Sequence, residues 1–160
     1  MKKTKFIVQS AVIAALYAAL TLVSSAFGMS SGAIQVRISE ALAVLPFFTA
    51  AAIPGLFLGC IISNTITGCM LIDIIFGSIA TLIGAIGAYL LRGKKWLVPL
   101  PTIISNAIIV PLVLAYAYKV EQSIPFLMLT VGIGELISAG VLGMILLLAL
   151  EKHKDILKIN

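Results

Sequence analysis

Apolar runs fall at about 6–27, 38–50, 52–67, 71–91, 96–118 and 124–150, with polar residues confined to short breaks between them. The longer runs reach the ~20 residues that an α-helix needs to cross a hydrocarbon core of ~30 Å. The stretch 38–67 reads either as one span interrupted by Pro46 and Pro54 or as two short ones. Charge placement decides between them. Lys2, Lys3 and Lys5 precede the first run, and Arg92, Lys94 and Lys95 form the strongest internal basic cluster. Cytoplasmic ends of membrane helices carry the excess of lysine and arginine. Both clusters reach that side only if an even number of crossings separates them. The stretch 38–67 is therefore expected to cross twice, turning near 49–54. Pro54 is expected to open the third helix, where a missing N–H costs nothing.

The pattern predicts an all-α polytopic membrane protein with six transmembrane helices and both termini in the cytoplasm. It forms one transmembrane domain, 1–160, in the cell membrane. The expected inner side holds Lys2, Lys3, Lys5, Arg92, Lys94, Lys95, Lys152, Lys154 and Lys158, and the outer side holds Arg37 and Lys119. The first run has a basic start and small residues before Phe27, as a signal peptide does. It is longer than the usual apolar region of one, so it is read as a retained span. Composition agrees with the bilayer as solvent: 61% of residues are hydrophobic and 11% charged, with a mean hydropathy of +1.19. The net charge of +5 does not indicate nucleic acid, because the basic residues cluster at the ends of apolar runs. No phosphate-binding glycine loop is present. Cys60 and Cys69 form no metal-like or redox pairing. No nucleophile with its base is visible, so neither an enzyme nor a cofactor or metal is expected.

Carboxylates at membrane depth are costly and need a reason. Glu135 is the sharpest case, placed ~15 Å into the last helix at 1.5 Å per residue. The string Gly132-Ile133-Gly134-Glu135 lets a backbone or a ligand approach closely. The alternative role for Glu135 is a hydrogen bond that locks helix packing. Arg37 and Glu40 have the i,i+3 spacing of an ordinary salt bridge, and Ser39 is suited to capping the second helix. Asn64 and Asp73 flank the loop between the third and fourth helices, and Asn106 lies midway along the fifth. Together Arg37, Glu40, Asn64, Asp73, Asn106 and Glu135 are the expected lining of a cavity in the outer half of the bundle. Phe27, Tyr116, Tyr118 and Phe126 read as an interfacial aromatic belt, Trp96 as an anchor on the inner side, and His153 carries no role. Ala11, Ala14, Ala15, Ala18 and Ala19 give overlapping small-xxx-small pairs on the first helix, and Gly55 and Gly59 give another. Such pairs let a second helix come close.

The string Gln35-Val36-Arg37-Ile38-Ser39-Glu40-Ala41-Leu42, followed by Val44-Leu45-Pro46, resembles the QueT family. So do Gly55-Leu56, Gly59, Ile62-Ser63-Asn64, Asp73-Ile74-Ile75-Phe76-Gly77-Ser78 and Gly134-Glu135. The resemblance covers nearly the whole chain. It implies an S component of an energy-coupling factor (ECF) transporter, a six-helix subunit that binds a micronutrient from outside. It further implies a coupling protein docked on the alanine face of the first helix, two cytoplasmic ATPases, and queuosine precursors as substrates. Those precursors are the 7-deazaguanines preQ0 and preQ1. Their N–H edge suits a carboxylate such as Glu135 or Asp73. Their carbonyl suits donors such as Asn64, Asn106 or Arg37, with Glu40 orienting Arg37 or touching ligand. Two alternatives stand beside this reading: an S component for another vitamin or heterocycle, and a self-contained gradient-driven carrier with Glu135 as proton relay.

Overall fold

The computed structural model describes residues 2–29 and 35–153. Among these, five α-helices and one 3-10 helix build the bundle. They are α1 (Lys2–Ala26), the 3-10 helix Ile38–Phe47, α2 (Ala52–Ile66), α3 (Leu71–Leu90), α4 (Leu100–Tyr116) and α5 (Ile124–Lys152). A single 3-10 turn, Lys95–Leu97, leads into α4. Four segments are long and apolar enough to cross a membrane: Lys3–Ala26, Leu71–Leu90, Lys95–Tyr116 and Ile124–Lys152. The described residues are all-helical in their regular structure, and the chain is a multi-pass membrane protein.

The region 38–67 departs from expectation. Its first half was expected as a spanning α-helix, and it is a 3-10 helix of 10 residues. At ~2.0 Å per residue it extends only ~20 Å. Ser39 to Val44 and Pro46 are all buried, so this segment is an internal element enclosed by its neighbours. Helix α2 has 15 residues and extends ~22 Å. It begins two residues before Pro54, which therefore sits inside the first turn, where backbone N–H groups have no intrahelical partner. Ser39 does not cap the 3-10 helix. Its hydroxyl accepts from Thr21 on α1 at 2.8 Å, and Ser24 accepts the Ile38 N–H at 3.0 Å.

Close packing is set by small residues. Helix α2 lies on α1 through Gly55 and Gly59: a Cβ on Gly59 would come within 2.9 Å of the Ala14 carbonyl oxygen. Helix α3 meets α4 where Gly84 faces Thr102. The core under these crossings holds Ile13, Tyr17, Leu42, Leu56 and Cys60, with a second cluster of Val44, Ala88, Val98 and Leu147. Helix α5 is not uniform. Its middle, Leu136–Leu142, is a π-helix, a form often found at functional sites.

The two ends of the bundle differ in charge. Arg92, Lys94, Lys95 and Lys152 gather where α3 ends, α4 begins and α5 ends, and Lys95 pairs with Glu151 there at 3.1 Å. At the opposite end stand Arg37 and Lys119. Lys154 and Lys158 lie outside the described residues.

Candidate functional site

The six residues singled out from the sequence line two adjoining spaces at the end opposite the basic cluster. An outer cavity of about 420 Å³ is bordered by Arg37, Asn64 and Asp73. A small inner hollow of about 20 Å³ is bordered by Arg37, Glu40, Asn106 and Glu135. Gln35, Arg37 and Val110 border both. Gly77 and Thr81 complete the inner wall, and Val110, Leu114 and Val120 give the outer cavity an apolar side.

Each side chain reaches this place by a distinct local cause. Glu40 lies in the first turn of the 3-10 helix and is 2% exposed. Tyr17, fully buried on α1, donates its hydroxyl to Glu40 Oε1. Glu40 Oε2 is buried with no hydrogen-bond partner. Glu135 ends the α-helical first part of α5, immediately before the π-helix. It is 7% exposed, and its Oε2 also lacks a partner. The Asn106 amide lies against both carboxylates. Arg37 and Glu40 face the same hollow, but the expected i,i+3 ion pair is not closed: among the described residues the salt bridge within contact distance joins Lys95 and Glu151.

The outer cavity is organised by α3. Asp73 sits in its first turn, where a carboxylate is favoured by the helix dipole. Gly77, one turn on, leaves room above itself for Asp73 and Asn64: a Cβ there would be 3.3 Å from Asp73 Oδ1 and from Asn64 Nδ2. Tyr118 was expected in an aromatic belt. It instead borders the cavity, donating to Asp73 Oδ2 at 3.0 Å and accepting the Met70 N–H at 3.1 Å. Partial burial and then the Asp73 carboxylate push its phenol up to about 12, so it remains a donor at neutral pH. Phe27 and Tyr116 are strongly exposed.

The chain segment entering the 3-10 helix crosses over the inner hollow. A Cβ on Gly134 would overlap the Gln35 carbonyl oxygen, so the backbone of residue 35 fills the place that Gly134 leaves open on α5. Gly132, by contrast, has only the Ala107 Cβ at 3.8 Å. Three residues here escaped sequence reasoning. Tyr17 reads as one more aromatic in an apolar run, Gln35 as a loop amide, and Tyr118 as an interfacial anchor. The i,i+4 pairing of Tyr17 with Thr21 on one face of α1 was the available signal for a polar inward stripe.

The alanines of α1 divide. Ala14 and Ala18 are 6% and 8% exposed, and Ala14 packs on Gly59. That pair faces the inside of the bundle. Ala11, Ala15 and Ala19 are exposed, alongside Ile7, Val8, Val12 and Leu16.

The profile of the family described as QueT transporter matches residues 7–152. The chain belongs to the QueT transporter family. A curated relative, the Queuosine precursor transporter QueT of Lactococcus lactis subsp. cremoris (strain MG1363), is 40% identical over 85 residues. That match covers 52% of this chain and 50% of the relative, so the comparison spans about half the length of the curated relative. No solved structure matches significantly. The strings that carry the QueT resemblance converge on the two spaces described above. Arg37 and Glu40 come from the first string, Asn64 and Asp73 from the next two, and Glu135 from the last.

Proposed function

We propose that this chain is the substrate-binding membrane subunit of an ECF transporter that imports queuosine precursors, the 7-deazaguanines preQ0 and preQ1. One observation carries the reading. The outer cavity is continuous in its lining with a hollow where two buried carboxylates each keep an unpartnered oxygen. Buried acceptors without donors are unfavourable, and a ligand rich in N–H groups satisfies them. Family membership and the name of the Lactococcus relative point to the same substrate class.

In this reading the cavity opens to the outside of the cell membrane and the basic end faces the cytoplasm, following the charge rule. The six-crossing topology belongs to the same proposal, with the 3-10 helix and α2 as the short second and third crossings. Ala11, Ala15 and Ala19, on the exposed face of α1, form the seat of the transmembrane coupling protein, and two cytoplasmic ATPases supply the energy.

The test is calorimetric titration of the purified chain in detergent with preQ1, preQ0 and guanine, joined to vesicle uptake with and without the coupling protein and ATPases. Saturable deazaguanine binding by the lone chain, and uptake only with the partners, is the expected result. The second reading, a gradient-driven carrier, is favoured by the buried Glu135 alone. Accumulation by the lone chain under a proton or sodium gradient would establish it instead.

A further inference from the structure

The two spaces are unequal in size and charge, and that inequality assigns the two ends of the ligand. The outer cavity, about 420 Å³, has room for a fused two-ring base. The inner hollow, about 20 Å³, admits one small group, since a water molecule needs ~10–15 Å³ of the same kind of space. Glu40, Glu135 and Arg37 border this hollow, two carboxyl groups against one guanidinium. Glu40 and Glu135 are both more than nine-tenths buried, and each has one oxygen without a partner. Two carboxylates ionised together in a low-dielectric interior need a second cation beside Arg37. A neutral aromatic amino group fills the space but supplies no such charge. An ammonium group fills the space, supplies the charge and brings three donors for the two orphan oxygens.

We infer that the inner hollow is an ammonium subsite, in which Glu40 and Glu135 together hold the protonated aminomethyl group of a 7-aminomethyl-deazaguanine. The ring lies outward, its N–H edge on Asp73 and its carbonyl toward Asn64, which meet above Gly77. Asp73 keeps the Tyr118 bond, because each carboxylate oxygen accepts more than one donor. This inference rests on the deazaguanine reading and sharpens it: the chain selects preQ1 over preQ0. The nitrile of preQ0 is only an acceptor and carries its partial negative charge toward two carboxylates.

The experiment is calorimetry on the full chain in detergent with preQ1, preQ0 and unsubstituted 7-deazaguanine, in sodium chloride and in choline chloride. We expect preQ1 to bind roughly 10- to 100-fold more tightly than preQ0, the range of charge-assisted hydrogen bonds, equally in both salts. Glu135→Gln is expected to weaken preQ1 by roughly tenfold or more, to relieve the nitrile of preQ0, and so to abolish that preference. Asp73→Asn is expected to weaken both ligands alike. The comparison of ligands on the unaltered chain decides the question even where a variant does not fold. Equal affinity for preQ1 and preQ0 overturns the ammonium subsite and leaves the deazaguanine reading standing. Tight preQ0 binding in sodium but not in choline assigns the hollow to a free cation and also overturns it. Absence of binding by any of the three to folded protein overturns both.

Discussion

Tyr17 and Glu40 show how a buried carboxylate is held in place. The Tyr17 hydroxyl takes one carboxylate oxygen and leaves the other facing the hollow. Tyr17→Phe strips Glu40 Oε1 of its tyrosine donor in a buried site. The expected loss is about 1–3 kcal/mol of stability, read by denaturant unfolding in mixed micelles, together with weaker ligand binding. Unchanged stability and affinity would show that Glu40 is positioned by something else. Gly134 makes a second residue-scale test. Its missing side chain admits the Gln35 backbone, so Gly134→Ala must push residue 35 away from both spaces. Ligand affinity is expected to fall on the order of tenfold, about 1.4 kcal/mol. Gly132→Ala meets only an ordinary contact at 3.8 Å and should leave calorimetric affinity unchanged. At this scale the sequence exposed the charged groups well, because carboxylates in apolar runs stand out. It did not expose Tyr17 or Gln35, whose importance lies in what they touch.

At the scale of elements, α1 does two jobs with two faces. The inward face, Ser10, Ala14 and Tyr17, is tied to its neighbours: Ser10 donates to the Ala51 carbonyl at 2.8 Å, and Gly55 and Gly59 pack against it. The outward face carries Ala11, Ala15 and Ala19. Ala14→Leu therefore forces α1 from α2 and is expected to reduce thermal stability and ligand binding together. Ala15→Leu is expected to leave both intact in the lone chain and to reduce co-purification with the coupling protein. Assembly unaffected by Ala15→Leu would remove this face from the proposed interface. Small-residue spacing located the helix faces in the sequence, but alanines at 11, 14, 15, 18 and 19 give candidates on both sides. Only the position of Gly59 shows which pair faces inward. The 3-10 helix was not legible at all, since its apolar run looks the same as that of a short spanning helix.

For the whole molecule, the separation of the cavity from the basic end is the governing feature. It makes the proposed orientation testable without altering the site. Cys69 borders the outer cavity, whereas Cys60 is 1% exposed in the core. A membrane-impermeant maleimide applied to intact cells is expected to modify Cys69 and spare Cys60, with preQ1 slowing the reaction. Modification of Cys69 only after the membrane is opened would invert the orientation.

The sequence by itself determined the solvent, the helical class and the chemistry available. Those follow from long apolar runs, from basic residues at their ends, and from six polar groups too costly to bury without purpose. The tertiary structure decided which groups share a space, which alanines remain outside, and that the second element coils tightly inside the bundle. The reason is physical. Hydropathy and charge act through the solvent and are summed along the chain. Proximity is set by where glycines let helices and backbone approach, and those contacts join residues as far apart as Gln35 and Gly134.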